Sequence, residues 1–491
     1  MDRPRSPEPA LSTRGVRRFE PGSFRADAHF YPRARDAELH PTLAFFLQMG
    51  NGRIAARYGH LHPEVDPAAL VRALGERPRY FRWGGADLFC VTTRRGQRQI
   101  VVVETNSSPS GQKSMPRRAG ESAGAGYARL VAGALLDASG DDPALPAGGL
   151  AVLTDKNELE CTGYAAAMAD AAREPVWLVP CHDGDPDPRV RFTPLGVLEV
   201  RPDGGPWVPI RAALRYVTQR PWNRIPLLPR TRLLNPVLAC VAGGRNKLLA
   251  AKAYDLHNAE LAGSGLAVKA PETIWDVAKD EVPLWVQRMG GLAVVKNPYS
   301  NAGQGVYTIT SEAELAAFLA DSHPYGRFIV QSLIGNSSWR AGGKAARYFH
   351  VGTVPDQAGD IYVADLRFMV GAGVDGFFPA ALYARRARAP LARTLDASMS
   401  SWDMLGTNLS VRRADGSWDT DTERLVLVDR MDFDRLGLGL DDLVLGYVQT
   451  VLAVSAIDRM ARQLVAPDGT FRRAFFAAIN PDERLCAEIL G

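Results

Sequence analysis

Cysteine is scarce. The five residues Cys90, Cys161, Cys181, Cys240 and Cys486 include no C-x-x-C pair and are odd in number, which argues against a zinc knuckle and a disulfide framework and leaves buried thiols as the expectation. Long apolar runs are missing as well. The most apolar helical stretch, Leu443 to Ile457, contains Gln449 and falls short of the roughly 20 apolar residues that cross a bilayer, so it reads as a core helix. The opening Met1-Asp-Arg-Pro-Arg-Ser-Pro-Glu-Pro9 has no apolar segment; it reads as a disordered lead, not a signal peptide, and no membrane partner and a cytoplasmic location are expected. Nor is there an excess of one charge. Lys and Arg number 58 against 54 Asp and Glu, a net +4, with arginine far commoner than lysine and no basic run interleaved with aromatics, so no nucleic-acid partner is expected. His60 and His62 lack a third ligand nearby and read as a surface loop.

What is present is enough apolar sequence, 46% of 491 residues, to build two or three packed domains. One stretch organises the rest: Val101-Val-Val-Glu-Thr-Asn-Ser-Ser-Pro-Ser-Gly-Gln-Lys113. Its β-branched run predicts a buried strand. Alternation along that strand points Glu104 and Asn106 to one face, beside a Ser-Ser-Pro-Ser-Gly loop whose backbone N–H groups suit an anion. Upstream, Ala86-Asp-Leu-Phe-Cys-Val91 and the turn Thr93-Arg-Arg-Gly-Gln97 complete a β-hairpin. If that turn centres between Arg95 and Gly96, Asp87 stands opposite Glu104. Two carboxylates so placed repel. A hard divalent cation such as Mg2+ would reverse that, because Asp, Glu and Asn form an all-oxygen donor set; nearby arginines neutralising an ordinary surface pair is the alternative. Lys113, Arg117 and Arg118 follow closely and suit a phosphate or a substrate carboxylate, or else form a solvated basic face.

Downstream, Gly124 to Ala138 reads as an Ala-rich helix, and Ser139 to Gly149 as a linker dense in helix breakers. Leu150–Thr154, a helix from about Gly163 to Arg173, and Val176–Val179 form a strand-helix-strand unit and imply a parallel sheet, continued by Arg211 to Arg215. No fingerprint glycines open its helix, which argues against dinucleotide binding. Gly243-Gly-Arg-Asn-Lys247 stands at the mouth of a helix running to about Leu261. Lys296 ends the strand Leu292-Ala-Val-Val-Lys and is followed by Asn297-Pro-Tyr-Ser-Asn-Ala-Gly-Gln-Gly305 and the strand Val306–Ile309. Strand, glycine loop, strand describes a hairpin lid able to lie over phosphates, unlike a Walker or Rossmann turn, which opens a helix. After a helix from Glu312 to Ala320, Arg327 to Ile334 reads as a strand whose edge backbone suits an adenine. Asp365 and Arg367 share one face of the strand Tyr362–Val370, Arg385 and Arg386 end the strand beginning at Ala380, and Gly406-Thr-Asn-Leu-Ser410 forms a polar loop. An amphipathic helix from Leu440 to Leu464 follows.

Taken in order, Lys247, Lys296 with its glycine hairpin, Val330-Gln-Ser-Leu333, Asp365-Leu-Arg367 and Thr407-Asn-Leu-Ser410 resemble the ATP-grasp superfamily. Glu104-Thr-Asn106-Ser-Ser-Pro109 with Asp87 upstream is similar to that superfamily's metal hairpin, above all in ribosomal-protein glutamate ligases. In the family this hairpin follows the final helix, whereas here it precedes the first nucleotide lysine. The resemblance therefore implies an α/β (α+β), circularly permuted ATP-grasp fold with a Rossmann-like pre-grasp domain, its last helix packed beside the Asp87 hairpin. It divides the chain into a disordered lead (1–20), the permuted metal-binding part of the core (21–140), a pre-grasp substrate-side domain (150–240), a lid subdomain (241–330) and a core subdomain (331–491). Family members hold the ATP ribose with an acidic residue after the hinge strand. Gly335-Asn-Ser-Ser-Trp339 offers none, and Asn336 or Ser338 are only stand-ins.

The resemblance implies a carboxylate-amine ligase that makes an amide or peptide bond through an acyl phosphate, using ATP and one or two Mg2+. Its expected ATP contacts are Lys247, Lys296, Ser300, Asn301, Gly303, Gln304, Gly305, Gln331 and Leu333; its metal ligands Asp87, Glu104 and Asn106. Arg367 and Arg385 would be catalytic, steadying charge during transfer. Ser108, Ser110, Lys113, Arg117 and Asn408 would meet the substrates, expected to be amino acids or small peptides; a homodimer is a further option. A kinase or a carboxylate-thiol ligase on the same scaffold, or a non-catalytic nucleotide-binding protein, are the alternatives.

Overall fold

The early hairpin forms as its alternation and its glycine dictate. In the computed structural model, which describes residues 15–137, 144–218, 224–300, 305–339, 348–396, 399–412 and 418–490, Trp83–Thr93 pairs antiparallel with Arg98–Ser107. Gly96, at φ +76°, occupies the left-handed position that the turn needs. The turn is centred on Arg95 and not between Arg95 and Gly96, with Thr92 opposite Arg98 and Leu88 opposite Val102, and it is the bulge just beyond Leu88 that brings Asp87 opposite Glu104.

This hairpin belongs to a six-stranded sheet with Tyr348–His350, Ala364–Gly373, Gly376–Arg386 and Leu425–Val426. Ala364–Gly373 pairs with both Trp83–Thr93 and Gly376–Arg386, so segments nearly three hundred residues apart in sequence are adjacent strands. The helix Leu440–Gln463 packs on the same sheet. By length and composition it could cross a bilayer, and it is longer than its apolar centre suggests. Leu443, Val444, Tyr447, Val448, Val451, Leu452 and Ile457 are nonetheless fully buried, which makes it a core helix. At roughly 1.5–3 kcal/mol for each large apolar side chain withdrawn from water, its burial is a major part of the core's stability. Its Tyr447 packs edge-on against Phe46 and tilted against Phe368, which themselves meet edge-on.

A second sheet, of mixed parallel and antiparallel pairing, holds Gly149–Thr154 parallel to and between Val176–Pro180 and Val208–Tyr216. The expected strand-helix-strand unit is present, its helix Glu158–Ala172 beginning five residues before Gly163. The lead expected to be disordered over residues 1–20 contains a paired strand. Residues 1–14 lie outside the described residues, but Arg17–Phe19 pairs antiparallel with Val176–Pro180. An edge strand offers unpaired backbone groups, and Arg17 adds an ion pair to Glu158 at 2.7 Å. Nor are His60 and His62 a loop: His60 lies in the helix Gly50–Leu61 and His62 caps it.

The third sheet, ordered Thr273–Ala278, Arg327–Ser332, Ala293–Lys296, Val306–Ile309, is antiparallel and has its own apolar cluster around Val286, Val295, Phe318 and Phe328. Arg327–Ser332 is an interior strand of it, not an edge: Thr273–Ala278 and Ala293–Lys296 engage it from both sides. The five cysteines are free, three of them buried.

Candidate functional site

Two glycines bring the first lysine to the hairpin. Gly243 has φ +142°; a Cβ there would sit 2.9 Å from Ile457 Cγ1, and one on Gly244 would sit 2.8 Å from Ser107 Cβ. Only residues without side chains let the chain pass this close. The helix Lys247–Glu260 starts immediately after, capped by the Asn246 side chain, which accepts from Leu249 N. Lys247 Nζ then lies 3.2 Å from Glu104 Oε1 and donates to Ser300 Oγ at 3.0 Å. The second lysine arrives from the antiparallel sheet. Lys296, opposite Val306 at the mouth of the glycine hairpin, donates to Val103 O at 3.0 Å. Burial, opposed by Glu104 and reinforced by Lys247, lowers its ammonium pKa to about 8.

On the opposite wall Asp87 is gripped by two arginines. Arg367 donates to both its oxygens, at 2.6 and 2.7 Å, and Arg385 reaches it at 3.0 Å while also bonding Asp365. Burial alone would raise the Asp87 carboxyl; Arg367 and Arg385 outweigh it and hold the group well below the usual carboxylate range. The predicted repulsion between Asp87 and Glu104 is thus answered by side chains: guanidinium forks for one, an ammonium for the other. Asp87 therefore departs from the expected three-ligand metal set, since its two oxygens already accept three hydrogen bonds and keep about one lone pair.

Glu104 and Asn106 fit a hard cation. Both line the same cavity, the Glu104 carboxylate is partly open, and Asn106 Nδ2, an N–H donor buried with no hydrogen-bond partner, calls for an acceptor such as a phosphate oxygen, leaving Oδ1 as the oxygen that would meet a cation. Mg2+ commonly takes one or two carboxylates and completes its shell with water and phosphate oxygens.

The cavity, about 470 Å³, gathers Asp87, Glu104, Asn106, Ser108, Ser110, Lys113, Lys296, Ser300, Gln331, Leu333, Arg367, Arg385 and Asn408. Lys247 lines an adjoining cavity of about 330 Å³ that shares Glu104, Lys296 and Gln331 with it. Arg117 does not join them. It lines a separate small groove and donates to Arg35 O at 3.2 Å, because the chain turns away after the short 3-10 turn Gln112–Ser114. Asn301, Gly303 and Gln304 lie outside the described residues; Gly305 closes the hairpin, its carbonyl accepting from Asn297 N at 2.8 Å. Asn336 and Ser338 are spent elsewhere, on Ala392 O and Arg393 O.

Several lining residues escaped the sequence reading: Tyr31, Lys156, Asn157, Tyr216, Arg245 and His350. Asn157, left-handed at φ +60°, ties the two halves together through Lys113, Ser110 and Tyr216. The buried Glu160 beneath it accepts from Ser110 Oγ, Gly111 N and Gln112 N, which fixes the serine loop. The available signal was positional. Asp155-Lys156-Asn157 is a polar turn at the carboxyl end of a parallel strand, where open α/β sheets bind ligands.

The fold is mixed α/β, with one mixed and two antiparallel larger sheets. No protein-family model matches the chain, and no curated protein does. Among solved structures it is similar to ATP-grasp proteins. The RimK domain protein ATP-grasp from Sphaerobacter thermophilus DSM 20745 is 14% identical, with 48% of this chain and 89% of that one covered and a TM-score of 0.29. A glutathione synthetase-like effector from Globodera pallida is 10% identical over 70% of this chain and 81% of that one, TM-score 0.39. D-alanyl-alanine synthetase A from Vibrio cholerae O1 biovar eltor is 11% identical over 48% and 88%, TM-score 0.27.

Proposed function

We propose that this protein is an ATP-dependent carboxylate-amine ligase on a circularly permuted ATP-grasp scaffold. One observation carries the reading: two lysines from late in the chain meet the early oxygen-donor hairpin, Lys296 touching a carbonyl 193 positions before it and Lys247 touching Glu104 itself. In this reading Lys247 and Lys296 hold the ATP phosphates, and the Ser300 to Gly305 hairpin closes over them. The adenine meets the backbone past Ser332, beside Leu333, because the preceding strand is paired on both sides. Glu104 and Asn106, with what remains of Asp87, hold Mg2+, which when bound screens phosphate charge.

The substrate carboxylate attacks the γ-phosphorus and the bond to ADP breaks. An amine then attacks the acyl carbon, loses a proton, and phosphate leaves. Arg367 steadies the developing charge through Nη1, whose contact is the Tyr383 hydroxyl at 3.4 Å, while Arg385 and Asp87 fix its plane. Ser108, Ser110, Lys113 and Asn408 surround the acid, and amino acids or small peptides are the substrate class. The test incubates amino acids in pairs with Mg-ATP, measures ADP release and identifies the product by mass spectrometry. An amide product, with release lost in Glu104→Gln, is expected. Phosphorylated product formed without an amine would replace the ligase with a kinase, and ADP release unaffected by Glu104→Gln would remove the metal assignment.

A further inference from the structure

One end of the cavity lies where the parallel strands Gly149–Thr154 and Val208–Tyr216 finish, and its charges do not balance. The acids there are already satisfied. Asp155 accepts from Thr218 N at 2.6 Å and from Arg224 at 3.3 Å. Glu160 accepts from Ser110, Gly111, Gln112, Asn157 and Tyr164. The two lysines there have no acidic hydrogen-bond or ion-pair partner among the described residues. Lys113 donates to Asn157 Oδ1, a neutral acceptor, and stands 4.9 Å from the Tyr31 ring centroid. Lys156 Nζ has no hydrogen-bond or ion-pair partner among the described residues, although Lys156 lines the cavity. Arg245, whose Nη2 donates to Ser107 O at 3.0 Å, adds a third positive group to the same wall.

Lys156 is open to the cavity yet stands among many protein atoms on its concave floor. That burial, then the field of Arg245, opposed in part by Asp155 and reinforced by Arg367 and Lys113, lowers its pKa to about 8. An anion placed there would relieve this repulsion and complete the hydrogen bonding of two ammonium groups.

We propose that this end of the cavity binds a second anionic group of the acid substrate, a carboxylate or a phosphoryl oxyanion, held by Lys156 and Lys113. The inference deepens the ligase reading and rests on it for the meaning of the ligand: the acid carries an anionic group besides the carboxylate that is activated. Substrates with only one carboxylate leave Lys156 uncompensated and are discriminated against. The array suits either oxyanion, since ammonium groups act as point charges without the planar preference of a guanidinium.

The experiment titrates the full chain by calorimetry with glutarate, with phosphonoacetate and with the singly charged glutaramate, and repeats each titration on Lys156→Met and Lys156→Arg. Circular dichroism melts check that both variants fold. Glutarate or phosphonoacetate should bind the parent and Lys156→Arg, and bind Lys156→Met roughly 10- to 100-fold more weakly, the range of one charged hydrogen bond; glutaramate should not distinguish the three proteins. Tighter glutarate assigns a carboxylate, tighter phosphonoacetate a phosphoryl group. Failure of both dianions to bind, or equal glutarate binding by Lys156→Met, overturns the proposal. Dianion binding lost in Lys156→Met but with no ADP release in any amino-acid pairing supports the anion site while striking the ligase reading. ADP release with acids that bear no second anion, equally fast in Lys156→Met, overturns the anion site while the ligase reading stands.

Discussion

At the residue scale the site is a set of charge balances, each with a measurable consequence. Arg367 and Arg385 share Asp87. Arg367→Ala removes a bidentate partner from a buried carboxylate and should lower unfolding free energy by about 3–5 kcal/mol in urea denaturation. The Asp87→Ala, Arg367→Ala double variant should lose less than the sum of the two single ones, because the second truncation removes the charge that the first strands. His350 gives a pH test. Burial pushes its imidazole down to about 3, with the Phe89 ring edge-on at 4.6 Å. Its folded pKa lies below the unfolded one, so between about pH 6.5 and 3 the unfolded chain binds the extra proton and stability falls as pH falls. Denaturation midpoints at several pH values should show that slope, and His350→Gln should flatten it. Arg117, turned away from the cavity, should be replaceable by Ala with no change in ADP release.

At the scale of elements, the contact that matters is the long helix on the early hairpin. A Cβ at Gly84 would lie 2.6 Å from Val454 Cγ2 and 2.9 Å from Phe81 Cζ, so the strand touches the helix with nothing to spare. Gly84→Val should cost at least about 1–3 kcal/mol by overpacking, read as a lower melting temperature. At the same end of the hairpin, where Ser107 pairs with Gly84, the same logic protects Lys247: Gly244 abuts Ser107 and Gly243 abuts Ile457 just before the lysine's helix begins. Gln449 stitches the helix to the much earlier segment Ala267–Lys269, its amide donating to Ala267 O at 3.0 Å and accepting from Lys269 N at 2.7 Å.

At the scale of the molecule, the sheet that carries the glycine hairpin has an apolar cluster separate from the main core. Sub-global opening follows such boundaries. Hydrogen exchange should therefore be fastest, among the sheets, in Ala293–Lys296 and Val306–Ile309, and slowest in Trp83–Thr93, Ala364–Gly373 and Leu440–Gln463, which share one core. A non-hydrolysable ATP analogue with Mg2+ should slow exchange in the hairpin strands first. Uniform exchange across all three sheets would show that this sheet does not move on its own.

The alternation of Val101 to Asn106 and the turn residues around Gly96 were enough to show the hairpin, because strand periodicity and turn chemistry are local properties, but its register was not: the turn is centred on Arg95, and the pairing of Asp87 with Glu104 comes from the bulge beside Leu88. The helices Lys247–Glu260 and Glu312–Ala320 were legible for the same reason, from caps and breakers. What answers each charge was not local. Arg367 and Arg385 neutralise Asp87, Lys247 meets Glu104, Arg117 turns outward, Arg327–Ser332 is enclosed on both sides, and Lys156 enters the cavity, all because of how sheets and helices pack. Electrostatic partners are fixed by distances in space, and sequence spacing sets those distances only within a single element.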